Sequence, residues 1–171
     1  MSNLMFVPRL TAPAPSDLRW IKTTYGGYNR CVLGNPSYGT GSVLANCVGY
    51  CWGRWLELLN ATNCQLSTGN ADNWYTHSDP YQRGSAPRLG AIACWSGGSS
   101  GHVASVEKIT ATAITCSESA YNGYAFRVHD YDINMSRSGF TFQGFIYLPI
   151  TYLSTAELIA IIKRRRRYGD L

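Results

Sequence analysis

The chain has 171 residues, 45% of them hydrophobic and 15% charged, which suits one folded domain of ordinary size and leaves no room for a second complete catalytic domain. Its formal charge of +5 is uneven: residues 151–171 set Lys163 and Arg164–Arg167 against Glu157 and Asp170, so the tail holds +3 and the body only +2, too little to call for a nucleic-acid partner. No stretch approaches the roughly 18 apolar residues of a membrane span, and the opening MSNLMFVPRL lacks the apolar core of a secretory signal.

Residues 1–16 contain three prolines and read as an extended arm or the edge of a lid, ahead of a main domain over 17–150. Residues 17–40, rich in Gly, Asn, Tyr and Ser, suggest irregular structure. From Asn46 to Asn60 the apolar residues Val48, Cys51, Trp52, Trp55, Leu58 and Leu59 recur every three or four positions, the pattern of a helix packed on a core. The Asn46 side chain suits an N-cap, which sets Cys47 in the first turn, where backbone N–H groups are unpaired and the dipole is positive. A second short helical stretch is expected through Trp74 and Tyr75. Beyond Pro87 the period changes to two, predicting strands at Gly90–Trp95, His102–Ile109, Ala113–Glu118, Tyr124–Tyr131 and Phe140–Leu148, with a turn at Gly97-Gly98. The fold class is therefore α+β, an N-terminal helix packed on an antiparallel sheet. Residues 151–171 form a basic tail whose Ser154 and Glu157 have capping-box spacing, so a terminal helix is expected.

Six cysteines allow 15 pairings if all are bridged, but without a signal peptide the default is reduced thiols. No CxxC pair or His–Cys cluster has zinc-ligand spacing, and no metal or other cofactor is expected.

A thiol is a nucleophile only as the thiolate, which a helix N-terminus and a nearby imidazole both favour. Cys47 has the first of these. The competing reading is a small buried apolar residue. His102 opens a strand after the Gly-Gly-Ser-Ser-Gly run, with the small Ala104 and Val106 on its face, so its ring has space to meet a helix end; the alternative is a satisfied, partly buried histidine. Glu118 shares strand parity with Ile114 and Cys116, an apolar face where a carboxylate needs a partner. If the two strands are neighbours, it accepts the imidazole N–H and fixes the tautomer; otherwise it is an edge residue without a partner.

NCVGYCWGR, GNADNW, PRLGAIACW, GHVASVE and TCSESAYNG occur in the order found in CHAP domains, the cysteine, histidine-dependent amidohydrolase/peptidases, and the chain resembles them from about Asn46 to Leu148. The resemblance implies a papain-like fold with Cys47 as nucleophile, His102 as base and Glu118 orienting the ring. It also implies a substrate, peptidoglycan, cut at an amide bond of the wall peptide, and a phage endolysin, as many members are. Such an enzyme, made in the host cytoplasm without a signal peptide, acts on the cell wall after release. The alternatives are a bacterial wall-remodelling amidase or endopeptidase, and a non-catalytic wall-binding module of the same fold. Amidase and endopeptidase action share one thiolate chemistry and are not separated by sequence.

Where similar domains often place Asn two residues after the Glu, this chain has Ala120, with Asn122 nearby as an auxiliary candidate beside Asn46. Cys51, directly before Trp52, imitates the Cys-Trp pair of papain, but the family pattern puts the nucleophile near the helix start, at Cys47. Residues 32–46 hold no Asp or Glu, so the calcium loop of some relatives is not indicated. Trp74, Tyr75, Trp95 and Tyr121 flank the catalytic segments as candidate groove residues, most of them expected as packing. Arg164–Arg167 are candidates for attracting anionic wall polymers or lipid headgroups, or else form a solvated helix end. A monomer is expected.

Overall fold

The computed structural model describes residues 6–13, 46–119 and 126–150, together with Ile159. The terminal helix, Asn122, Tyr121 and Arg164–Arg167 lie outside them, apart from Ile159, which is helical and exposed. Helix α1 spans Cys47–Leu59, and the Asn46 side chain accepts the Gly49 N–H at 2.9 Å, the cap that the sequence suggested. Asn60 ends the helix in the left-handed region at φ 49°, a conformation asparagine tolerates better than most residues. A 3-10 turn at Ala71–Asn73 takes the place of the short helix expected near Trp74. No helix among the described residues is long and apolar enough to cross a membrane.

Six strands follow: β1 Arg83–Gly84, β2 Ile92–Gly97, β3 His102–Ile109, β4 Ala113–Glu118, β5 Arg127–Asp132 and β6 Phe140–Ile146. They form one antiparallel sheet in the order β1-β6-β2-β3-β4-β5. Sequence periodicity finds five of them; the two-residue β1 is too short to show a period. β2 and β3 are buried on both faces, so each reads as an almost unbroken buried run. One face, through Ile92, Cys94, Val103 and Ile146, packs on α1 with Trp52, Trp55 and Leu56. The other gathers Ala93, Trp95, Ala104, Val106, Ile114, Cys116, Tyr131 and Phe145. The sheet curls over this second core, for Trp95 of β2 and Tyr131 of β5 meet at a ring-centroid separation of 5.0 Å with two strands between them in the sheet.

A buried polar network fastens the N-terminal arm to this frame. Glu107, 1% exposed, sits where the β3–β4 register shifts between Val106 and Lys108. Its carboxylate accepts Arg54 Nε at 2.9 Å, Arg54 Nη2 at 2.8 Å, Ser117 Oγ at 2.6 Å and the Arg9 backbone N–H at 2.8 Å. The Tyr50 hydroxyl donates to Ser117 Oγ. Arg54 also donates to the Val7 carbonyl at 2.7 Å and to Glu57 at 2.6 Å, and the Arg9 guanidinium closes the circuit on Glu57. The fork of one arginine thus satisfies a carboxylate that burial alone would penalise heavily. Residues 6–13 seat near the Glu57 end of α1, about 15 Å along the helix from Cys47 at 1.5 Å per residue.

Candidate active site

α1 presents Cys47 at its first position, half-buried, on a cleft of about 340 Å³. The Asn46 side chain satisfies Gly49 N–H, and the Asn46 carbonyl accepts Tyr50 N–H at 2.9 Å, so neither bond occupies the N–H groups of Cys47 and Val48, which line the cleft. Across the cleft stands His102, the first residue of β3. Its position depends on Gly101, whose φ of +71° and tight seat admit no side chain: a Cβ there would lie 2.3 Å from Asp72 N and 2.7 Å from Trp95 O. The close approach lets Ser100 O accept Asp72 N–H at 3.0 Å, which joins the Ser99–Gly101 turn to Asn70 and Ala71 as one wall of the cleft.

β3 pairs with β4 through Ser105 and Ser117, and continuing that register sets Glu118 opposite Ala104, diagonally behind His102 on the same face. The diagonal is within reach of a long side chain. His102 Nε2 donates to Glu118 Oε2 at 2.5 Å, which fixes the proton on Nε2 because an ionised carboxylate only accepts. The imidazole shares the cleft with the Cys47 side chain, and Nδ1 is the ring nitrogen not engaged by Glu118. Burial pushes the His102 pKa down, but the Cys47 and Glu118 side chains beside it outweigh burial, and the net direction is up. Burial raises the Glu118 pKa, and here too the partners prevail: His102, Arg137 and Tyr131 hold the carboxyl below its ordinary value.

The structure therefore brings Cys47 and His102 together at one cleft, with Glu118 bound to the imidazole. It keeps Cys51 away from them: this thiol is fully buried in the core one turn deeper, and burial drives its pKa well up, the opposite of an activated nucleophile. Trp74 and Trp95 correct the groove expectation, since both are fully buried. Trp95 packs beside the His102 ring at 5.8 Å and donates its indole N–H to the Met135 carbonyl at 2.7 Å, so it supports the site from beneath. Trp74 belongs to the core beside α1. Tyr75 is half-buried, and its ring lies where a Cβ on Gly144 would come within 2.7 Å, so it covers β6 instead of lining the cleft.

Two residues of the site escaped the sequence reading. The Tyr131 hydroxyl donates to Glu118 Oε2 at 2.9 Å, and Arg137 Nη1 donates to the same oxygen at 3.3 Å and to the Tyr131 hydroxyl oxygen. Tyr131 is the one buried residue of β5, so parity along that strand gave no signal for it, and Arg137, in the β5–β6 turn, carried none either. Phe140 flanks the His102 ring at 6.3 Å and the Arg137 guanidinium at 5.1 Å. No group of three or more His, Cys, Asp or Glu among the described residues is arranged to hold a metal ion.

The family model described as "CHAP domain" matches residues 37–120, a span that contains Cys47, His102 and Glu118. Among solved structures, an N-acetylmuramoyl-L-alanine amidase from Staphylococcus aureus aligns with 58% of this chain and 30% of its own, at 22% identity and a TM-score of 0.44. The chain thus matches less than a third of that protein's length.

Proposed function

We propose that the chain, whose residues 37–120 match the CHAP domain family model, is a cysteine-dependent hydrolase of peptidoglycan in which Cys47 is the nucleophile, His102 the general base and acid, and Glu118 the group that orients the imidazole. The observation that carries this reading is that Cys47 and His102 line one open cleft while His102 Nε2 is bound to Glu118 behind it. Cys47 Sγ, with its proton on His102 Nδ1, attacks an amide carbonyl carbon of the wall peptide. The oxygen that becomes negative is met by backbone N–H at the helix start, where the dipole also favours it. As the C–N bond breaks, the imidazolium gives its proton to the departing amine, leaving a thioester. Water, deprotonated by the same imidazole, then displaces the sulfur and releases the acid.

The raised pKa of His102 supports its acid role, because the ring stays protonated to higher pH while facing the sulfur. Glu118, ionised and held by three donors, stabilises that imidazolium without taking its proton. The finer reading, a lytic enzyme of phage or prophage that reaches the wall after release from the host cytoplasm, draws its support from the ordered motif set.

Mass spectrometry of fragments released from purified peptidoglycan tests the assignment and reads the bond at once. Cys47→Ala is expected to abolish release, and Cys51→Ala to leave it. A new amine on the first stem-peptide residue marks an amidase, and one inside the peptide an endopeptidase. Release by the Cys47→Ala protein, or its loss only in Cys51→Ala, overturns the nucleophile assignment. Wild type that binds the wall and releases nothing identifies the non-catalytic binding module.

A further inference from the structure

The β5–β6 turn is built to hold one guanidinium at the cleft. Asp132 Oδ1 accepts the N–H of Asn134 at 3.0 Å and of Ser136 at 2.9 Å. Met135, in the left-handed region at φ 56°, buries its side chain in the second core, and its carbonyl takes the Trp95 indole N–H at 2.7 Å. Anchored on both sides, the turn delivers Arg137 to the cleft, stacked on Phe140. Nη1 is committed to Glu118 and Tyr131, whereas Nε and Nη2 have no hydrogen-bond partner among the described residues. The side chain is 27% exposed. Arg137 and His102 are the only described cleft residues able to carry positive charge, and none of those residues is an Asp or Glu.

We propose that Arg137 is a specificity residue that receives a carboxylate of the substrate on its Nε–Nη2 edge, so that the cleft selects peptides with a free carboxylate near the scissile amide. The inference rests on the reading of this cleft as a peptide site. A guanidinium has five donors in a rigid fork, enough to bind Glu118 with one nitrogen and a second carboxylate with the other two. The stacking on Phe140 and the anchored turn remove most of the ordering that an arginine otherwise undergoes on binding. The neighbouring Glu118 charge is shared with His102 and Tyr131, so it does not consume the whole attraction of the guanidinium.

The test measures binding, so that it is separate from turnover. Soluble stem-peptide fragments, with their carboxylates either free or converted to primary amides, are titrated calorimetrically into the full chain carrying Cys47→Ala. The free-acid form is expected to bind about tenfold more tightly, the order of one charge-assisted pair at a partly exposed site. Adding Arg137→Gln should erase the preference, and Arg137→Lys should restore part of it, which a merely structural role of the arginine would not do. An equal affinity for both forms, no binding of either at millimolar concentration, or a preference surviving Arg137→Gln overturns the proposal. If the preference holds while wild type hydrolyses nothing, the catalytic reading fails and the carboxylate site stands.

Discussion

Replacing Glu118 by Gln keeps the shape of the side chain and removes its charge, isolating what the carboxylate does for His102. Glu118 is 5% exposed and accepts from His102, Tyr131 and Arg137, so no water stands ready to substitute for the lost charge. A hydrogen bond to a charged group contributes about 1.5–3 kcal/mol. If that support acts on the imidazolium of the transition state, its loss slows turnover roughly 10- to 150-fold, at 1.36 kcal/mol per decade. The pH dependence has a defined sign. Glu118 raises the His102 pKa against burial, so its removal lowers that pKa and moves the basic limb of the pH–rate profile down. Stability follows the same pair: His102, raised above 6.5, contributes fully below that value and loses its contribution as pH rises through the folded pKa. Glu118, lowered from 4.5, contributes fully above that value and loses its contribution as pH falls through the folded pKa. The variant should therefore be most destabilised between 4.5 and 6.5. Turnover of dye-labelled peptidoglycan across pH, with urea unfolding at the same pH values, measures both. An unchanged rate with an unmoved basic limb would refute the orienting role.

Other substitutions separate frame from chemistry. Arg54→Met leaves the buried Glu107 carboxylate without its bidentate partner and should cost about 3–5 kcal/mol in urea unfolding, a loss too large for a surface pair; a change below about 1 kcal/mol, the range of an exposed ion pair, would contradict the network. Gly101→Ala forces a Cβ to 2.3 Å from a backbone nitrogen at φ +71°, so both thermal stability and turnover should fall together, and a wild-type enzyme would show that the turn yields freely. If Arg164–Arg167 attract anionic wall polymers, deleting residues 163–167 weakens sedimentation with intact walls at low salt and leaves cleavage of soluble fragments intact; equal sedimentation with and without them rejects that role.

Much of the site was legible because its signals are local. A cap residue before an apolar helical period places Cys47, and strand parity places Glu118 on a buried face. Burial of β2 and β3 on both faces hid which aromatic residues face the cleft, since Trp95 sits on a strand whose residues are all buried from Ile92 to Trp95. Tyr131 meets Trp95 only through the curl of the sheet, a property of no single segment. Arg137 depends on a turn held by Asp132 and Met135, where the contacts cross from one strand end to another.

Two buried glutamates show where sequence reasoning stops and geometry decides. Glu107 and Glu118 lie on adjacent strands, both 5% exposed or less, and parity offers each an inward position. They differ in what meets them. Glu107 points to the helix side, where Arg54, itself 3% exposed, neutralises it in a fork that solvent does not reach, and the pair serves to fix α1 and the N-terminal arm. Glu118 points to the other face, where its partner is an imidazole that shares the cleft with the Cys47 thiol and keeps one nitrogen free of the carboxylate. A guanidinium cannot release its proton at any ordinary pH, whereas an imidazole exchanges one near neutrality. The identity of the partner base thus separates a carboxylate that holds the frame from one able to serve proton transfer, and that partner is known only once the strands are paired.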